Sequence, residues 1–161
     1  MKFHHNERKG WPAGHWPDQV LELPGNPQLQ NLAAMVPDLV YASPGGQDLH
    51  LSLLVPWTHL PDRTDKVRLP LVVFVQGSAW TTPNRHFEIP QLSRFARQGL
   101  IVASVTHRSC LDGHPFPAFL TDVKTAIRYL RGEADRYGID PERVAVWGTS
   151  SGGNAALLAG L

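Results

Sequence analysis

Three unbroken apolar runs dominate the second half of the chain: "LPLVVFV" (69–75), "GLIVASV" (99–105) and "RVAVW" (143–147). Short runs of this kind, rich in β-branched residues, suit strands buried on both faces of a parallel sheet. The spacing between them is different. In "RHFEIPQLSRFARQG", Leu92, Phe95 and Ala96 fall on one helical face and Gly99 follows as a stop. In the longer stretch from Phe116 to Glu142, Phe119, Val123, Ala126, Ile127, Leu130, Ala134 and Tyr137 recur at helical spacing, with Gly138 as the C-terminal cap. Strand, helix, strand, helix, strand predicts two right-handed crossovers in an open α/β sheet.

Upstream, the spacing shortens to alternation. Leu39 and Tyr41 precede Pro44-Gly45-Gly46, and Leu49, Leu51 and Leu53 alternate after it, which predicts a β-hairpin over 38–57. Residues 26–38 carry Leu29, Leu32 and Ala33 at helical spacing ahead of Pro37, and predict one short helix. Residues 1 to about 26 have no period. The organisation expected is an irregular N-terminal extension over 1–38 and an α/β unit over 39–161.

Composition narrows the classes of function. A chain of 161 residues is about one domain long. A net charge of +1 gives no basic footprint for nucleic acid. No apolar run approaches the ~20 residues of a membrane span, and the start, "MKFHHNERKG", has no apolar leader core; the expectation is a cytoplasmic protein without a membrane partner. Cys110 is the only cysteine, so no internal disulfide can form.

The chemistry concentrates at Gly148-Thr149-Ser150-Ser151-Gly152, a G-x-S-x-G sequence. A match of this kind arises by chance in about one chain in twenty of this length, so its placement decides. It lies between a buried-strand pattern ending at Trp147 and a helix-favouring run from Asn154, at a strand-to-helix turn. Glycines on either side, Gly148 and Gly152, permit a tight turn that lifts the Ser150 hydroxyl beyond the sheet edge, and the N–H of Ser151 points from the helix start toward a substrate oxyanion. A phosphate cradle is the competing reading, but neither G-x-x-x-x-G-K-[ST] nor G-x-G-x-x-G is present. A purely structural turn is the other. The run "VQGSAW" (75–80) follows the first buried strand, where serine hydrolases of this architecture supply a second oxyanion N–H. Ser78 and Ala79 are the candidates there.

Together, "VYASPGGQDLHLSLLVP", "LPLVVFVQGSAW", "LIVASVTHRS", "FPAFLTDVKTAIRYLRGEADRYGIDPERVAV" and "WGTSSGGNAA" resemble the N-terminal half of α/β-hydrolases. The similarity is to the esterase/lipase branch, near hormone-sensitive-lipase-like and feruloyl/acetylxylan esterase-like enzymes. The resemblance implies a mostly parallel α/β-hydrolase sheet flanked by helices after an antiparallel hairpin. It also implies a carboxylic-ester hydrolase acting through an acyl-enzyme at Ser150 on a small-molecule ester, with no cofactor and no metal. Where the family has His-Gly-Gly-Gly-Trp, this chain has Gln76-Gly77-Ser78-Ala79-Trp80. Arg108 matches the family, and Asp122 matches a helix carboxylate read as structural.

A serine nucleophile needs a base, and the base an orienting acid. In this fold the chain order is Ser, then Asp or Glu, then His. No Asp, Glu or His follows Ser150, and all eight histidines precede it. His107, His114 and His86 lie in loops near the expected site and are read as ordinary surface or loop histidines, and Cys110 as an idle or packed thiol. The expectation is therefore an N-terminal piece of a larger serine hydrolase, its acid- and base-bearing half absent. A non-catalytic protein of the same fold, or an amide hydrolase, are the alternatives.

Overall fold

The structure, a computed structural model, describes residues 31–161. Five strands form one mixed sheet in the order β1-β2-β4-β3-β5. They are β1 (Ala33–Ala42), β2 (Leu49–Pro56), β3 (Leu69–Val75), β4 (Ile101–Val105) and β5 (Ile139–Gly148). The helices are α1 (Ile89–Arg97), α2 (Ala118–Gly132), the single turn α3 (Ala134–Tyr137) and α4 (Ser151–Gly160). β1 and β2 form the expected antiparallel hairpin, β2 runs antiparallel to β4, and β3 lies parallel to both β4 and β5.

The short helix expected at 26–38 is corrected over its described part: residues 33–38 are strand. Ala33, Ala34, Met35 and Val36 pair with Pro56, Val55, Leu54 and Leu53. Ladder pairing against the apolar 53–56 segment of β2 overrides the weak helical spacing of Leu29, Leu32 and Ala33. Pro37, which cannot donate to a ladder, and Asp38, at φ 56°, sit where the register slips, so the strand bends there rather than ending. Residues 26–30 lie outside the described residues, as does the rest of the expected N-terminal extension to Gln30.

Alternation along each strand sends side chains to two layers. Leu51, Leu53, Leu71, Val73, Ile101 and Ala103 face α2–α4 and bury Phe119, Val123, Ala126, Leu130 and Tyr137. Leu54, Phe74 and Val102 face the other way, onto Leu92 and Ala96 of α1. Phe95, expected on that same buried face, lies at its rim and packs edge-on against Trp147 at 5.6 Å between ring centres.

Register sets the site. Phe74 pairs with both Ser104 and Trp147, and Val75 with Gly148, so β4, β3 and β5 end level at their carboxyl edge. The loops after them, starting at Thr106, Gln76 and Thr149, therefore emerge side by side, at the edge where open α/β sheets place their ligands.

Candidate active site

Ser150 occupies the turn between β5 and α4 at φ 49°, ψ −122°, a conformation that costs a non-glycine residue of order 1–3 kcal/mol. Close packing holds it there. A Cβ on Gly152 would collide with the carbonyl of Val75, and one on Gly148 with the backbone of Gly152. On the facing loop, a Cβ on Gly77 would come within 2.8 Å of the Ser150 Cβ. The elbow is thus wedged between the end of β3 and the first turn of α4, and Ser150 is exposed above it.

The loop after β3 is tied to this turn by hydroxyl groups. The Gly77 N–H donates to Thr149 Oγ1 at 2.9 Å, and the Ser78 N–H to Ser151 Oγ at 2.9 Å. Within the loop, Ser78 Oγ donates to the Thr81 carbonyl at 2.5 Å and Thr81 Oγ1 returns a bond to the Ser78 carbonyl at 2.6 Å. Gln76 Oε1 accepts the Asn84 N–H at 2.6 Å. Ala79 and Trp80 follow at φ 51° and 61°, values that glycine adopts without strain. Among the described residues, the N–H groups of Ala79 and Ser151 have no protein acceptor.

Sequence reasoning selected Ser150, Ser151, Ser78, Ala79, Gly148 and Gly152, and the structure brings all six to one edge. It missed the parts played by Thr149, Thr81 and Gln76. Two hydroxyl residues flanking Ser150 were visible in the sequence, but a G-x-S-x-G pattern gives the flanking positions no role.

The histidines do not complete the site: among the described residues none hydrogen-bonds Ser150. His86 reaches Ser52 Oγ at 3.4 Å. His107 lies in the loop after β4, as expected, but is buried and not at the surface, 1% exposed, because its ring packs on Phe119 and its Nδ1 donates to the Arg108 carbonyl at 2.9 Å. Burial holds its pKa below the ordinary imidazole value. Beside it, the Arg108 guanidinium grips both oxygens of buried Asp122, with Nη2 at 2.7 Å from Oδ1, and Asp122 also accepts the Arg108 N–H at 2.9 Å. The guanidinium–carboxylate bond raises the Arg108 pKa further. Tyr41 closes the cluster by donating to the Thr106 carbonyl at 2.7 Å, and burial together with the Asp122 charge pushes its hydroxyl pKa up. The Cys110 thiol is exposed, and its N–H donates to the Trp80 carbonyl at 3.0 Å. Among the described residues, no group of three or more metal-ligating side chains occurs and no helix is long and apolar enough to cross a membrane.

The chain is similar to known proteins over most of its described residues. The BD-FAE family model matches residues 58–161. Esterase LipC of Mycobacterium tuberculosis is 40% identical over 93 residues, covering 57% of this chain and 23% of its own. Esterase LipQ of the same organism is 34% identical over 144 residues, covering 88% of this chain and 33% of its own. The structure of Thermogutta terrifontis esterase 2 phosphonylated by cyclosarin superposes with a TM-score of 0.67 at 27% identity, covering 74% of this chain and 44% of that one. The chain thus spans a quarter to a third of the length of these curated relatives. With the matched segment running from the end of β2 through the Ser150 turn, the chain belongs to the BD-FAE family of esterase-like α/β-hydrolases.

Proposed function

We propose that Ser150 is the nucleophile of a carboxylic-ester hydrolase. The observation that carries this is its placement: an exposed serine held at positive φ on the strand-to-helix turn, beside two backbone N–H groups that have no acceptor among the described residues. Ser150 Oγ attacks the acyl carbon of a small-molecule ester and passes its proton to a base. The carbonyl oxygen, now anionic, is met by the Ala79 and Ser151 N–H groups, presented by the 77–79 loop and the first turn of α4. Collapse expels the alcohol and leaves an acyl-enzyme, which water hydrolyses. No step calls for a metal or cofactor.

The base and its orienting acid come, in this proposal, from residues outside these 161. No Asp, Glu or His follows Ser150, and no described histidine reaches it. The same facts favour a second reading for residues 1–161 taken alone: a fold that binds without turning over. The esterase names of the relatives support the first reading for the whole gene product, and a cytoplasmic location is part of the same proposal. The test is covalent: a fluorophosphonate should label the full gene product, and Ser150→Ala should abolish labelling. Labelling that survives the change removes the assignment.

A further inference from the structure

We propose that the hydroxyl groups of Thr149 and Ser151, on either side of the nucleophile, are positioning residues that latch the 77–79 loop onto the elbow and turn the Ser78 N–H away from the oxyanion. Two backbone donors, Ala79 and Ser151, are left to meet it. The inference rests on Ser150 being the nucleophile, but its structural half stands without that.

Gln76-Gly77-Ser78-Ala79-Trp80 has a single glycine, yet it must pass within van der Waals contact of Ser150 and reach positive φ at Ala79 and Trp80. Non-glycine residues hold such angles only where the surroundings fix them. Here the fixing groups are identified. Thr149 Oγ1 takes the Gly77 N–H and Ser151 Oγ takes the Ser78 N–H, both at 2.9 Å. The reciprocal Ser78–Thr81 bonds then close the turn from the far side. Ser151 is 4% exposed, so its oxygen lies beneath the loop, shielded from water that would compete for the Ser78 N–H. An N–H already engaged by a buried hydroxyl cannot also meet a developing oxyanion. The next donor along the loop, Ala79, is exposed and has no acceptor among the described residues.

Residue-resolved amide hydrogen exchange on the full gene product tests this, before and after phosphonylation. In the free protein the Gly77 and Ser78 amides should exchange slowly. Thr149→Val should speed Gly77 exchange at least about tenfold, Thr149→Ser should restore it, and Ser151→Ala should speed Ser78 in the same way. Phosphonylation should slow exchange at Ala79 and Ser151 and leave Ser78 unchanged. In ester hydrolysis, Thr149→Val should lower kcat about ten- to a hundredfold with KM within about twofold, and Thr149→Ser should recover the rate. A Ser78 amide that exchanges fast in the free protein and slows on phosphonylation overturns the proposal. So does a Thr149→Ser variant as slow as Thr149→Val. If the nucleophile assignment alone is wrong, Ser150→Ala keeps its label while the free-protein exchange pattern still responds to Thr149 and Ser151.

Discussion

Two polar clusters stand a few residues beyond the same sheet edge, and they are built on opposite principles. At Arg108–Asp122 every strong group is satisfied by another: carboxylate by guanidinium and backbone N–H, with a buried histidine and tyrosine packed alongside. At Ser150 the backbone is strained, its glycines are jammed against the end of β3 and the first turn of α4, and two N–H groups have no acceptor among the described residues. A cluster whose charges are all paired holds loops in place; a cluster with unspent donors on a strained turn is prepared for a ligand. The contrast separates the Asp122 carboxylate, which the sequence already suggested was structural, from the chemistry next door.

The comparison can be broken most directly at the glycines. Gly152→Ala puts a methyl group into the Val75 carbonyl and should cost about 3 kcal/mol or more, whereas Gly153→Ala, whose Cβ would lie 3.3 Å from the Gly148 oxygen, should cost less than about 1 kcal/mol. Urea unfolding midpoints measure both, and equal losses would mean that the elbow is not wedged as described. Next in size is Asp122→Asn. It leaves the partly exposed Arg108 short of its charge partner and should cost about 2 kcal/mol. Slow exchange at Gly77 and Ser78 should persist in that variant; its loss would show that the two clusters are one unit.

The smallest effect is a pH dependence at His107, which faces Arg108, Asp122 and the Phe119 ring. Its folded pKa lies below the ordinary 6.5, so the unfolded chain takes up the proton first. Its contribution to stability is therefore intact above pH 6.5 and declines as the pH falls below that value, levelling off once the folded form is protonated as well. The slope is at most about 1.4 kcal/mol per pH unit. Unfolding at pH 7.5 and 5.5, wild type against His107→Asn, reads this difference. A variant whose stability drops with acid as steeply as wild type would assign the dependence to other groups.

β3, β4 and the second half of β5 were legible because each is a continuous apolar run, whereas the start of β5, at 139–143, is mostly polar and was not. The elbow was legible because its glycines flank a serine at a strand end. The 33–38 strand was not legible, since its pairing partner lies some twenty residues away and Pro37 reads locally as a helix stop. The burial of His107 was hidden for a similar reason: Phe119 reaches it from another element. The hydroxyl latch joins residues 77 and 78 to residues 149 and 151, a contact that no local spacing encodes.

The central claim is that Ser150 carries the chemistry. Peptide mapping of the full gene product after reaction with a fluorophosphonate tests it most directly. The account predicts one adduct, on the peptide containing Ser150, absent in Ser150→Ala, with hydrolysis of a p-nitrophenyl ester falling by several orders of magnitude in the same variant. An adduct on another residue, or ester hydrolysis that persists undiminished in Ser150→Ala, would contradict it.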